Sequence, residues 1–80
     1  MAGMIGLREV RLKKRWIQKK VANDLNITRE ALSHYETGQR EPSNAMLVHM
    51  SEYFGVSIYY LITGRERVPG ENKTFTYPTN

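Results

Sequence analysis

Four side chains within a six-residue stretch carry the most directed polar chemistry in this sequence: Arg29, Glu30, Ser33 and His34. A guanidinium donates through a rigid fork and a carboxylate accepts. A hydroxyl does both, and an imidazole donates from one nitrogen while accepting at the other. At helical periodicity the four share one outward side. Such a row suits the edges of DNA bases. Arginine can fork onto guanine O6 and N7, and glutamate can accept from cytosine N4. Glu30 has a second reading, because a carboxylate in a helix's first turn is favoured by the dipole. Catalysis finds no support. Cysteine is absent, Asp24 is a lone aspartate, and Ser33 has no base and orienting partner in view. No glycine loop that could cradle phosphates is present. His34 lacks a Cys or His at ligand spacing, so no metal and no cofactor are expected. His49 reads as a surface or packing residue.

These residues need a rigid rod beneath them, and the sequence supplies one. Val21, Ala22 and Leu25 give Gln18–Leu25 one apolar face. Asn26 tolerates the left-handed conformation that stops a helix, and Ile27 is placed to plug the turn. Thr28 is a good N-cap for a second helix carrying Ala31, Leu32 and Tyr35 on its inner side, and Gly38 is placed to end it. Two helices joined by so short a turn form a helix-turn-helix, whose second helix enters the major groove.

The flanking elements are legible too. Ile5–Lys14 reads as a first helix, preceded by a frayed Met1–Gly3. Pro42 keeps Glu41 out of helix, and Ser43 is placed to cap an amphipathic helix over Asn44–Phe54 with Leu47, Met50, Ser51 and Phe54 on one face. Gly55 closes it. Ser57 caps a short fifth helix, Ile58–Thr63, closed by Gly64. The expected fold is all-α, five helices over residues 1–64, followed by a C-terminal extended tail over 65–80. In that tail Pro69-Gly70 signals a turn or linker, and Thr74–Tyr77 alternates polar and aromatic residues as a strand would. A disordered tail is the other reading.

Composition bounds the rest. Eighty residues are expected to make one small domain with no separate ligand-sensing domain. No apolar run approaches a membrane span and no signal peptide is recognisable, so a cytoplasmic location is expected. Net charge is +4. Arg8, Arg11, Lys13, Lys14, Arg15, Lys19 and Lys20 crowd between positions 8 and 20, opposed by Glu9 alone. That is a nucleic-acid footprint, although Lys13, Lys14 and Lys20 also read simply as a solvated face.

The chain resembles the Cro/CI-type (lambda repressor-like, XRE) helix-turn-helix regulators over about Leu7–Gly64. The resemblance is carried by Gln18, Ala22, Leu25 and Ile27, then Tyr35-Glu36-x-Gly38 with Arg40-x-Pro42-Ser43, then Phe54-Gly55-Val56-Ser57 and Leu61-Ile62-Thr63-Gly64. It implies base contacts from Arg29, Glu30, Ser33 and His34. It implies phosphate contacts from Gln18, Gln39 and Arg40, which Lys19, Thr28 and Thr37 are placed to join. It also implies a structural ion pair between Arg11 and Glu36. One stretch departs from the family. Where Gly-Leu-Ser/Thr-Gln is usual, this chain has Arg15-Trp16-Ile17-Gln18, so the turn lacks its glycine and the next helix its hydroxyl cap. Trp16 is expected to fill the core corner instead.

Relatives of this kind usually bind palindromic operators as symmetric dimers. Tyr59 and Tyr60 stand where the family carries acidic residues, and adjacent helical tyrosines point in different directions, so at least one should be exposed. With Phe75 and Tyr77 they form the expected homodimer surface. The functional expectation is a dimeric repressor of phage or mobile-element type. The alternative is an antitoxin that autoregulates its operon, and a toxin or antirepressor is the corresponding protein partner.

Overall fold

A computed structural model of the chain describes residues 3–66, which form five helices and no strand. They are α1 (Ile5–Lys13), α2 (Gln18–Leu25), α3 (Arg29–Thr37), α4 (Asn44–Phe54) and α5 (Ile58–Thr63). Phe75, Tyr77 and nearly all of the tail lie outside the described residues.

Three of the helices start on a side chain chosen for the task. Thr28 accepts from the Ala31 amide at 3.0 Å, Ser43 from Met46 at 3.1 Å and Ser57 from Tyr60 at 2.9 Å. Each hydroxyl satisfies a donor that the first helical turn leaves open. The inner faces then converge on one core, in which Leu7, Val21, Leu25, Leu32, Met50 and Leu61 are sealed from solvent. Helix α1 packs closely against α5. A Cβ placed on Gly6 would lie 1.6 Å from the Tyr60 carbonyl oxygen, so only a glycine fits there. This contact draws Tyr60 into the core at 8% exposure, while Tyr59 remains 40% exposed. Of the two tyrosines expected on an interface, Tyr60 is therefore a core residue, because the inner side of so short a helix admits one ring and not its neighbour.

Trp16 packs against the core at ring-centroid distances of 5.5 Å from Tyr53 and 6.1 Å from Phe54. The Lys14 and Lys20 ammonium groups lie 5.2 and 4.5 Å from its ring, a favourable placement over an electron-rich face. Lys20 also donates to Asp24 at 2.6 Å, and Tyr53 donates to the same carboxylate oxygen at 2.5 Å. This strap ties α2 to α4. The hydrogen bonds from Lys20 and Tyr53 hold the Asp24 carboxyl below its ordinary range. Burial, with the nearby carboxylate, pushes the Tyr53 phenol up to about 12.

Candidate nucleic-acid interface

Helices α2 and α3 are joined by Asn26-Ile27-Thr28. Asn26 takes the left-handed conformation at φ 63°, and the Ile27 amide donates back to the Ala22 carbonyl at 2.9 Å. The turn sets α3 across α2 with its first residues outward. Arg29 and Glu30 are exposed; Ser33 and His34, a turn further on, are half-buried.

One hydrogen-bonded chain fixes α3 to the rest of the fold. Arg11 meets Glu36 through two parallel contacts, Nε to Oε2 at 2.7 Å and Nη2 to Oε1 at 3.0 Å. Both residues are buried, at 7% and 8% exposure. A bidentate pair of this kind has the geometry that makes charge-assisted bonds strong. The third arm of Arg11 donates to the Trp16 carbonyl at 3.0 Å. Gln18 continues the chain. Its Nε2 donates to Glu36 at 3.1 Å, and its Oε1 accepts from Arg29 at 3.2 Å. Gln18 is thus a bridge between the base of α3 and its tip, a role that its position at the start of α2 did not announce.

The remaining expected contacts divide by what their polar atoms already do. Thr28 Oγ1 accepts from Ala31, which leaves its proton to offer outward. Thr37 gives its proton to the Ser33 carbonyl at 3.0 Å, so a donation to phosphate requires its hydroxyl to turn. The amides of Gly38, Gln39 and Arg40 all converge on the His34 carbonyl, at 2.9, 2.9 and 3.3 Å. Gln39 and Arg40 therefore have side chains, not amides, to offer a strand. Lys19 is exposed beside Gln18.

Of the stretch Met1–Gly3 expected to fray, Met1 and Ala2 lie outside the described residues, and Gly3 packs against the end of α3. The Met4 amide donates to the Tyr35 carbonyl at 3.2 Å, and Met4 is buried. A Cβ on Gly3 would lie 2.0 Å from the Glu36 carbonyl oxygen. This short segment satisfies the end of α3 and packs against it. The lack of a Cβ at Gly3 is what permits this approach. Among the described residues no group of acidic, His or Cys side chains could hold a metal ion. No described helix is long and apolar enough to cross a membrane.

With that geometry in view, comparison with known proteins is decisive on ancestry. The helix-turn-helix family model matches residues 7–61, from the first helix into the fifth. The chain belongs to the Cro/CI-type helix-turn-helix family. It is similar to the HTH-type transcriptional regulator ImmR of Bacillus subtilis, 38% identical over 85% of this chain and 53% of the relative. It is also similar to an SPbeta prophage-derived regulator, YonR, of the same organism, 36% identical over 72% of this chain and 54% of that one. A transcriptional activator of Enterococcus faecalis, BcrR, is 32% identical over 78% of this chain and 30% of its own length. The chain spans about half the length of the first two of these relatives. No solved structure matches it.

Proposed function

We propose that this protein is a sequence-specific DNA-binding transcriptional regulator that lays α3 in the major groove of an operator. The observation that carries the reading is the Gln18 bridge. It holds the outermost guanidinium of α3, Arg29, from one side and the buried Glu36–Arg11 pair from the other. A base-reading side chain braced in this way pays little ordering entropy on binding. Arg29 and Glu30 meet base edges, with Ser33 and His34 behind them. Lys19, Thr28, Gln39 and Arg40 hold the strand edges. The excess of positive charge makes affinity fall steeply with salt.

The regulator acts as a repressor on a palindromic site, as a homodimer. Membership of a family that includes a prophage-derived relative supports a phage or mobile-element origin. Tyr59 and its neighbour one turn on, Ile62, are both substantially exposed on α5. They offer the apolar surface that a two-fold contact requires, with Tyr60 committed to the core.

Selection of bound sequences from random DNA tests the reading. A two-fold symmetric consensus is expected, and Arg29→Ala should relax preference at one position per half-site at a cost of about 1–3 kcal/mol. A protein that enriches no sequence, or an Arg29→Ala variant with unchanged preferences, would refute it. Sedimentation with and without the selected DNA tests the dimer, and a strictly monomeric complex would remove it.

A further inference from the structure

We propose that His34 meets DNA only as a hydrogen-bond donor, through Nε2–H, and so discriminates against cytosine at the base it faces. This rests on reading α3 as the recognition helix, and it adds the polarity of one contact.

Among the described residues, His34 Nδ1 is the buried side-chain polar atom that has no hydrogen-bond partner. A neutral imidazole has one proton to place on two nitrogens. On Nδ1 that proton is a buried N–H with nothing to receive it, the kind of orphan that, among main-chain groups, is rarer than an under-satisfied acceptor. On Nε2, which is not sealed from solvent in this way, the proton is free to meet water or a ligand. The neighbouring groups do not rescue Nδ1. The His34 carbonyl already accepts from the amides of Gly38, Gln39 and Arg40, and no other acceptor lies within hydrogen-bond distance of Nδ1. Packing therefore selects the Nε2–H tautomer.

The consequence is chemical. In the major groove guanine shows two acceptors, thymine shows O4 and adenine shows N7, whereas cytosine shows only its N4 amine, a donor. A tip that can only donate gains nothing from cytosine. A phosphate oxygen would also accept from Nε2–H, and the two acceptors leave different signatures.

The test has two arms. Nitrogen NMR of the free wild-type protein near neutral pH should show a pyridine-type signal at Nδ1 and a pyrrole-type signal at Nε2. A neutral ring protonated on Nδ1, with Nε2 left as the acceptor, overturns the proposal. In the second arm, sequences are selected from random DNA by the wild type and by His34→Gln and His34→Ala, each verified as folded by circular dichroism. The wild type should exclude cytosine by roughly tenfold or more at one position per half-site. Glutamine, which both donates and accepts, should admit other bases there, and alanine should erase the preference. Unchanged consensus with uniformly weaker binding means a phosphate contact and overturns the base assignment. Absence of any wild-type consensus removes the recognition-helix reading and this inference with it, a failure visible before any variant is made.

Discussion

The two turns on either side of α2 have nearly the same backbone and opposite chemistry. Before α2 the chain runs Arg15-Trp16-Ile17; after it, Asn26-Ile27-Thr28. The first residue of each is left-handed, at φ 60° and 63°. The second packs an apolar side chain against the core. The third is an extended N-cap, at φ −80°, ψ 161° in Ile17 and φ −80°, ψ 156° in Thr28. In the later turn every residue favours its conformation. In the earlier one an arginine occupies the left-handed position and an isoleucine, 66% exposed, occupies a cap it cannot fill. What holds the earlier turn lies elsewhere: Trp16 against Tyr53 and Phe54, and the Arg11 guanidinium on the Trp16 carbonyl. One turn is held by its own residues and the other by the fold around it.

The sharpest way to break that contrast is Arg11→Ala. It strands the Glu36 carboxylate in the core and releases the Trp16 carbonyl, at an expected cost of about 3–5 kcal/mol in urea unfolding. Hydrogen exchange should show the earlier turn loosening more than the later one, and equal loosening would contradict the account. Trp16→Ala comes next, at about 2 kcal/mol, less than a fully buried tryptophan because its ring is partly exposed. The cap exchange should then run in opposite directions. Thr28→Ala should lower stability by about 1 kcal/mol, and Ile17→Thr should raise it by a similar amount, since it adds the missing acceptor. Arg15→Gly should stabilise by somewhat less, about 0.5–1 kcal/mol, because relief of the left-handed strain is partly offset by chain entropy, whereas Asn26→Gly should be close to neutral. Thermal unfolding distinguishes these signs directly.

The smallest effects concern the strap that braces α2 from behind. Tyr53 has its folded pKa raised from 10.0 to about 12, so its contribution is complete below pH 10 and is lost as pH rises towards 12. Asp24 has its folded pKa lowered from 3.8, so its contribution is present above that value and fades as pH falls below it. Asp24→Asn should bring the Tyr53 ionisation back towards its ordinary value in a spectrophotometric alkaline titration. A Tyr53 that titrates unchanged would show that the strap does not form.

The candidate site was legible where its signals are local. Arg29, Glu30, Ser33 and His34 could be set on one side of a helix from spacing alone. Thr28, Ser43 and Ser57 could be assigned as caps because a cap reaches only three residues ahead. The second set of facts was not legible in this way. Spacing places Gln18 at a helix start but cannot say that its amide spans Arg29 and Glu36. Nor can it say that Thr37 has already committed its proton, or that Met4 closes the end of α3.

By itself, then, the sequence determined the five helices, their caps and the helix-turn-helix, since turn chemistry and apolar periodicity act over a few residues. Only the tertiary structure decided which of Tyr59 and Tyr60 is buried, that Arg15 must take a left-handed backbone, and which nitrogen of His34 is sealed from solvent without a partner. Those outcomes depend on how closely separate helices approach, and a distance between helices is fixed by packing across the whole core.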